Sequence, residues 1–217
     1  MSSTITPAAF RELLKGVSSV IERDKDRLSV LDGEIGDGDH GVTMAMGWNA
    51  VAAQVAQLPA ESSIQQICNS AAKAFITVGG SAGPLWATAL MRGGASAKDK
   101  QSLDRDGFVA FLAAACRGME ERGKAQRGDK TMLDAFLPAV EAAEAAKAES
   151  RSLAECLDAA ASAAEAGAAA TAQFVAKLGR ASRLGERSLG HVDPGAASAA
   201  LIIRALANGV KDIDVGS

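Results

Sequence analysis

The chain has 217 residues, 48% of them hydrophobic and 23% charged, a size at which roughly 70% of the unfolded surface is buried, so disorder and an extended coiled coil are both excluded. With 23 Lys and Arg against 26 Asp and Glu, the formal net charge is -3 and the pI is near 5.5, which excludes a dedicated binder of nucleic acid or of anionic membranes. There is no Tyr, aromatic residues make up 4%, Gly numbers 22, and residues 141 to 179 hold 17 Ala.

Alanine has the best helix propensity and lets helices pack closely, whereas strands draw on the β-branched and aromatic residues that are scarce here. An all-α protein is therefore expected. The N-terminal residues lack a basic segment followed by an apolar run, and no stretch approaches about 18 apolar residues, so neither a secretory signal nor a membrane span is expected. Cys68, Cys116 and Cys156 are odd in number, far apart and set among apolar residues. They are expected to be free thiols filling the core of a protein in the reduced cytoplasm.

Thr6 and Pro7 form an N-cap with proline at the first helical position, followed by Phe10, Leu13, Leu14, Val17 and Ile21 at helical spacing. A second apolar run covers residues 40 to 57. Ser63-Ile64-Gln65-Gln66 reads as a capping box opening a third helix, and residues 83 to 92 form a fourth. Ser102 precedes a run with Phe108, Phe111, Leu112 and Met119. Residues 131 to 148 give a sixth helix, in which Pro138 predicts a kink. Ser152-Leu153-Ala154-Glu155 is a second capping box, whose helix carries Leu153, Leu157, Ala160 and Ala164, with Phe174 and Leu178 extending the apolar face. Asp193-Pro194 opens the last helix. About eight helices with short connections suit an antiparallel bundle or barrel, and with no dividing linker residues 1 to 217 read as a single domain.

Four glycine-rich segments interrupt this pattern. In Leu31 to Gly41, four acidic side chains within eight positions would repel one another unless a cation sat between them. Asp37 and Asp39 aim to one side in an extended loop, and Gly33 and Gly36 allow Asp32 to fold back toward them. Oxygen ligands alone suit Mg²⁺ or Ca²⁺. An EF-hand register fails, since starting at Asp37 the required glycine is Val42, so Mg²⁺ with a phosphate substrate is the stronger option. The bland alternative is an acidic turn in which Asp39 caps the next helix.

Val78 to Trp86 places glycines, Ser81 and a proline-led helix start together, which is the chemistry of a phosphate cradle and also of an ordinary turn. Arg122 to Met132 approaches a Walker A loop, but Asp129 is inserted before Lys130 and the upstream segment is helical, so a P-loop is rejected. Its bland reading is a basic, solvated connection with Asp129 as N-cap. Gly179 to Gly195 carries three arginines suited to the phosphates or base of a nucleotide. In an up-and-down array of eight helices these four segments follow helices one, three, five and seven, and so share one end.

At these residues the chain resembles the L subunit, the nucleotide-binding component, of bacterial dihydroxyacetone kinases. The matching motifs are EIGDGDHG (Glu34 to Gly41), GGSAGPLW (Gly79 to Trp86), RGKAQRGDKTM (Arg122 to Met132) and GRASRLGERSLGHVDPGA (Gly179 to Ala196). The resemblance implies a barrel of eight antiparallel amphipathic helices with the nucleotide, ADP or ATP, at one end. It implies that Asp32, Asp37 and Asp39 hold two Mg²⁺ ions. Phosphate and ribose contacts carry over to His40, Gly41, Val42, Thr43, Ser81 and Ala82, and the remaining nucleotide contacts to Gly123, Met132, Arg180, Asp193, Pro194 and Gly195. It further implies a separate dihydroxyacetone-binding subunit that holds the ketone on a histidine, so that the chain alone is inactive. In one branch of the family ADP stays bound as a coenzyme and is rephosphorylated by a phosphohistidine protein of the sugar phosphotransferase system; in another, ATP exchanges freely. The rival readings are a nucleotide-sensing regulatory module, a Mg²⁺-dependent phosphatase, and a relay phosphorylated on His40 or His191. His40 is expected beside the phosphates and His191 in a structural role.

Overall fold

Side chains that accept the free amides of a first turn mark most of the helix starts. The computed structural model describes residues 4–215. Its α-helices are α1 Pro7–Ile35, α2 His40–Ala56, α3 Ile64–Ile76, α4 Ala82–Ser96, α5 Arg105–Gly123, α6 Leu133–Ala148, α7 Leu153–Ala170 and α8 Pro194–Val215, with two 3₁₀ segments, Thr171–Gln173 and Arg180–Ser188, between the last two. Thr6 Oγ1 accepts from the Ala9 amide at 3.2 Å, and both serine capping boxes form in full. Such caps stabilise a helix by about 1 kcal/mol each. The α5 cap is Asp104, which accepts from Gly107 N at 2.8 Å, and not Ser102. A carboxylate two residues closer to the apolar run wins that role.

Each helix packs on the next in sequence, and α8 returns to pack on α1. Short connections between neighbours force alternate directions, so the expected bundle or barrel closes as an antiparallel ring of eight helices. One correction concerns its wall: α7 ends at Ala170, so Phe174 and Leu178 do not extend its apolar face, and Leu178 is 38% exposed. At one end of the ring, Ile5 and Leu103 exchange backbone hydrogen bonds of 2.7 and 2.9 Å, tying the N-terminal segment to the approach to α5. Phe10 and Phe111 meet edge to face near that end, with ring centroids 5.4 Å apart.

Toward the other end the interior is filled by Trp48, Phe75, Trp86 and Phe136, successive centroids of which lie 5.4 to 6.3 Å apart. All but the tilted Phe75–Trp86 contact are edge to face, and such packing adds about 0.5–1.5 kcal/mol per pair to the area buried. The wall is built from small residues. Ala143, Ala160, Ala161 and Ala164 are fully buried between α6, α7 and their neighbours. The three cysteines are buried and unpaired, as the sequence suggests.

Glycine sets the closest approach. A β-carbon on Gly167 of α7 would stand 2.1 Å from the Asp134 carbonyl oxygen of α6. Alanine there would gain about 1 kcal/mol of helix propensity, but a backbone oxygen cannot move aside as a side chain can, and overpacking costs about 1–3 kcal/mol. Gly167→Ala is therefore expected to destabilise the protein, lowering the urea midpoint with an unchanged m-value. A midpoint at or above that of the parent chain would show that α6 and α7 are not held this tightly.

Candidate functional site

The ring places the ends of α1, α3, α5 and α7 and the starts of α2, α4, α6 and α8 at one mouth. There they surround a cavity of about 630 Å³, lined by residues from all four glycine-rich segments. Even-numbered helices point their positive N-terminal dipoles into this end, which favours an anion.

Asp32 lies in the last turn of α1, so it is held by helix and not by a loop folding back. It is buried. Its Oδ2 accepts from the His40 amide at 3.1 Å, so Asp32 satisfies the first turn of α2, whereas Asp39, the cap in the bland alternative, makes no side-chain capping bond. Gly36 makes this geometry feasible, because a β-carbon there would stand 2.3 Å from Asp32 Oδ1. The chain then turns through Gly38, at φ +78°, a left-handed conformation that glycine adopts without strain. Asp37 and Asp39 flank it on the exposed side. Each of the three aspartates offers an oxygen within 4.8 Å of the others. Three hard oxygen donors at this spacing fit a divalent cation such as Mg²⁺ and offer nothing to a soft metal. Across the pair, the Arg180 guanidinium bonds to Asp37 Oδ1 and reaches Asp39 Oδ1 at 3.4 Å.

His40 Nε2 lies 2.9 Å from Ser198 Oγ, which itself donates to Gly195 O at 3.0 Å, linking α2 to α8. Burial holds His40 below its ordinary pKa against the pull of Asp32 and Asp39, so the ring is neutral at neutral pH. Gly79, Gly80, Ser81 and Ala82 form a second wall. Gly80 is left-handed, at φ +72°. Ser81 is the N-cap residue of α4, yet its hydroxyl makes no capping bond.

The connection between α5 and α6 departs most from expectation. Its basic character is not solvated at Lys130, which is 2% exposed. Asp129 does not cap α6. Its Oδ2 accepts from Gln126 N at 2.7 Å and its Oδ1 from Lys177 Nζ at 2.9 Å. Asp134, inside the first turn of α6, takes up the loop amides in its place, Gly128 N at 2.5 Å and Thr131 N at 2.8 Å. No strand precedes this loop, in keeping with the rejection of a P-loop.

On the last wall, Asp193 Oδ2 accepts from Ala196 N at 2.7 Å and starts α8. Burial pushes its carboxyl group up to about 7, against the Ala196 amide and Lys130, which favour the charged form. Of the residues singled out in the sequence, Asp32, Asp39, His40, Thr43, Ser81, Ala82, Gly123, Met132, Arg180, Asp193, Pro194 and Gly195 all line the cavity. Asp37 joins through the carboxylate cluster. Gly41 packs against α1, a β-carbon there standing 1.8 Å from Lys25 O, and the Val42 side chain is 51% exposed, so neither is on the cavity wall. His191 stands apart, with Nδ1 3.0 Å from Glu34 Oε2. Lys130 lines the cavity but was not singled out in the sequence, and neither was Asp134, which caps its rim. The departure of Gly128-Asp129-Lys130-Thr131 from a Walker A loop was the available signal.

A DAK2 domain model matches residues 34–208. The ADP-binding subunit of the PEP-dependent dihydroxyacetone kinase 2 of Listeria innocua serovar 6a is 35% identical over 214 residues, which is 97% of this chain and 99% of the relative. The ADP-binding subunit of the Escherichia coli K12 PEP-dependent dihydroxyacetone kinase is 36% identical over 196 residues, 89% of this chain and 92% of the relative. The native dihydroxyacetone kinase of C. freundii superposes with a TM-score of 0.74 at 28% identity, covering 96% of this chain and 36% of that one. Its complex with AMP-PNP and Mg²⁺ gives 0.70 at 26% identity. This chain thus spans about a third of the length of the solved kinase, but nearly the whole of the separate subunits. A domain model covering most of the sequence, and relatives alike from end to end, lead to one conclusion: the chain belongs to the DAK2 domain family.

Proposed function

We propose that the chain is the ADP- or ATP-binding subunit of a dihydroxyacetone kinase, and that it acts as a single domain to transfer a phosphoryl group from Mg-nucleotide to dihydroxyacetone or a related short ketose held by a second subunit. The observation that carries this reading is the convergence of three carboxylates and several helix N-termini on one cavity. The names of the end-to-end relatives support it. A phosphotransferase-system protein as phosphoryl source is favoured by a 34% identical relative from Lactococcus lactis, named as the ADP-binding subunit of a PTS-dependent dihydroxyacetone kinase. Three buried free thiols suit a reduced, cytoplasmic setting. Among the described residues no helix is long and apolar enough to cross a membrane.

Phosphoryl transfer asks a protein for position and charge neutralisation more than for covalent chemistry. Asp32, Asp37 and Asp39 would hold two Mg²⁺ ions, which when bound neutralise the phosphates and stabilise the charge developing on the transferred group. Asp32 is oriented by the His40 amide, which fixes one of its oxygens at the start of α2. The His40 and Thr43 amides are already taken by Asp32 Oδ2 and the Asp39 carbonyl, so the amides of Gly41 and Val42, with those of Ser81 and Ala82, would turn the starts of α2 and α4 toward the anion. Gly123, Met132, Pro194 and Gly195 would shape the remainder of the nucleotide pocket, with Asp193 fixing the start of α8. Through its contact with Ser198, the His40 ring ties the start of α2 to α8 beside the phosphates. Arg180 bonds to two of the same carboxylates. It would leave them to meet a phosphate as the cation takes over their neutralisation.

Asp37→Asn is expected to lower Mg-ADP affinity in calorimetry by more than the roughly 10–100-fold that loss of a mere outer-shell partner costs, with helix content unchanged by circular dichroism. Unaltered affinity would sink the metal assignment. Arg180→Met is expected to tighten Mn²⁺ binding in the absence of nucleotide by up to about fivefold, the scale of an exposed ion pair, while weakening ADP. The purified chain alone is expected to form no triose phosphate from Mg-ATP and dihydroxyacetone, and to release no phosphate. Adding a dihydroxyacetone-binding subunit should start the reaction. Phosphate release without a partner would favour a phosphatase instead, and native mass spectrometry after dialysis distinguishes ADP kept as a coenzyme from an exchanging pocket.

A further inference from the structure

Lys130 is the only lysine or arginine among the described residues that is buried. Its backbone is left-handed, at φ +62°, a conformation disfavoured for any residue with a β-carbon. A turn alone would be better served there by glycine, as at neighbouring Gly128, and what sets Lys130 apart is the placement of its side chain. The ammonium Nζ donates to Thr171 O at 2.6 Å and to His191 O at 2.5 Å. These two carbonyls belong to opposite ends of the long connection between α7 and α8.

Two further bonds close the same neck. Asp193 N donates to Thr171 Oγ1 at 2.9 Å, and Gly190 N donates to Ala172 O at 2.7 Å. The segment between them carries Arg180 to the cavity and to the Asp37 and Asp39 carboxylates. Immediately before Lys130, Asp129 grips the shoulder of that segment, accepting from Lys177 N at 3.1 Å and from Lys177 Nζ at 2.9 Å. Consecutive residues of one loop therefore hold the neck and the side of another. A charged donor is suited to this task, because its bonds to carbonyls are stronger than those of a neutral one.

We infer that Lys130 is a positioning residue, whose ammonium clasps the neck of the 171–193 segment and thereby sets Arg180 and Asp193 around the nucleotide. It acts through those residues, since two of its donors are committed to backbone carbonyls. The inference rests on the nucleotide reading of the cavity. It also predicts a local loop opening that can be observed without any ligand.

The test compares the full chain with Lys130→Met and Lys130→Arg in three measurements: Mg-ADP affinity and Mn²⁺ affinity by calorimetry, and amide hydrogen exchange by segment. Lys130→Met keeps length and apolar bulk but loses both bonds. It should bind Mg-ADP at least about tenfold more weakly, consistent with the loss of a charged hydrogen-bond donor, bind Mn²⁺ no more weakly than the parent and no more tightly than Arg180→Met, and exchange faster selectively across residues 172 to 192. Lys130→Arg retains donors for both carbonyls and should recover most of the affinity and protection. Equal affinity and equal exchange in a folded Lys130→Met would overturn the inference, and so would an arginine variant no better than the methionine one. Should Lys130→Met fail to fold, Lys130→Arg decides alone: loosening confined to residues 172 to 192 in step with affinity supports the clasp, and an even loss of protection over the helices refutes it. As a control, His191→Ala leaves the carbonyl in place and should bind Mg-ADP as the parent does. A parent chain that binds no Mg-ADP would overturn the functional reading instead, while leaving the exchange comparison intact.

Discussion

Gly41 and the carbonyl of Lys25 define the spacing on which the carboxylate end of this protein depends. A β-carbon at residue 41 would lie 1.8 Å from that oxygen, so α1 and α2 run together at a distance no other residue permits. At that separation the carboxylate in the last turn of α1 reaches the first amide of α2, and the Asp32 to His40 bond forms across the turn. The intervening residues have little freedom left. Gly36 passes against the Asp32 side chain, Gly38 reverses the chain, and Asp37 and Asp39 are presented beside Asp32. Helix packing and ligand geometry are one problem here, solved by the same glycines.

Three neighbouring carboxylates are costly to hold together, and the structure disperses that cost among several partners. The His40 amide and the N-terminal dipole of α2 act on Asp32, while Arg180 serves the exposed pair. Deeper in, Lys130 faces Asp193 and Asp134, which favour its charged form against burial. Negative groups and their compensation are thus layered, with exchangeable partners at the rim and fixed ones below. An exposed pair such as Arg180 with Asp37 contributes little to stability and is easily given up. A buried ammonium bonded to two carbonyls is not.

Features set by neighbouring residues in sequence were the legible ones. Thr6-Pro7, the two capping boxes and Asp193-Pro194 open helices where their chemistry says they should, because a cap is satisfied within three residues. The count of eight helices followed, and with it the gathering of four loops at one mouth. What the residues alone did not disclose depends on partners far away. Asp129 looked like a cap but is engaged by Lys177, while Asp134, already inside the helix, binds the loop amides. Lys130 looked solvated because its carbonyl partners lie 41 and 61 positions further on. Phe174 and Leu178 continued the apolar period in sequence, yet the backbone had already left the helix at Ala170.

The unusual composition divides along the barrel axis. Alanine and glycine build a wall in which helices sit close, so little interior is left to fill, and a few large rings suffice to fill it. Trp48, Phe75, Trp86 and Phe136 come from α2, α3, α4 and α6, four of the helices whose ends form the mouth, and lie toward that end of the interior. Rings packed edge to face cannot slide without losing their mates on several helices at once. They hold the starts of α2, α4 and α6 in register, and those starts carry His40, Ala82 and Leu133 at the cavity. The scarcity of aromatics is therefore compatible with a rigid site, because half of the eight present are concentrated beneath it. A larger-residue wall would spread the helices, widen the mouth and separate the amide and carboxylate groups that must meet one ligand.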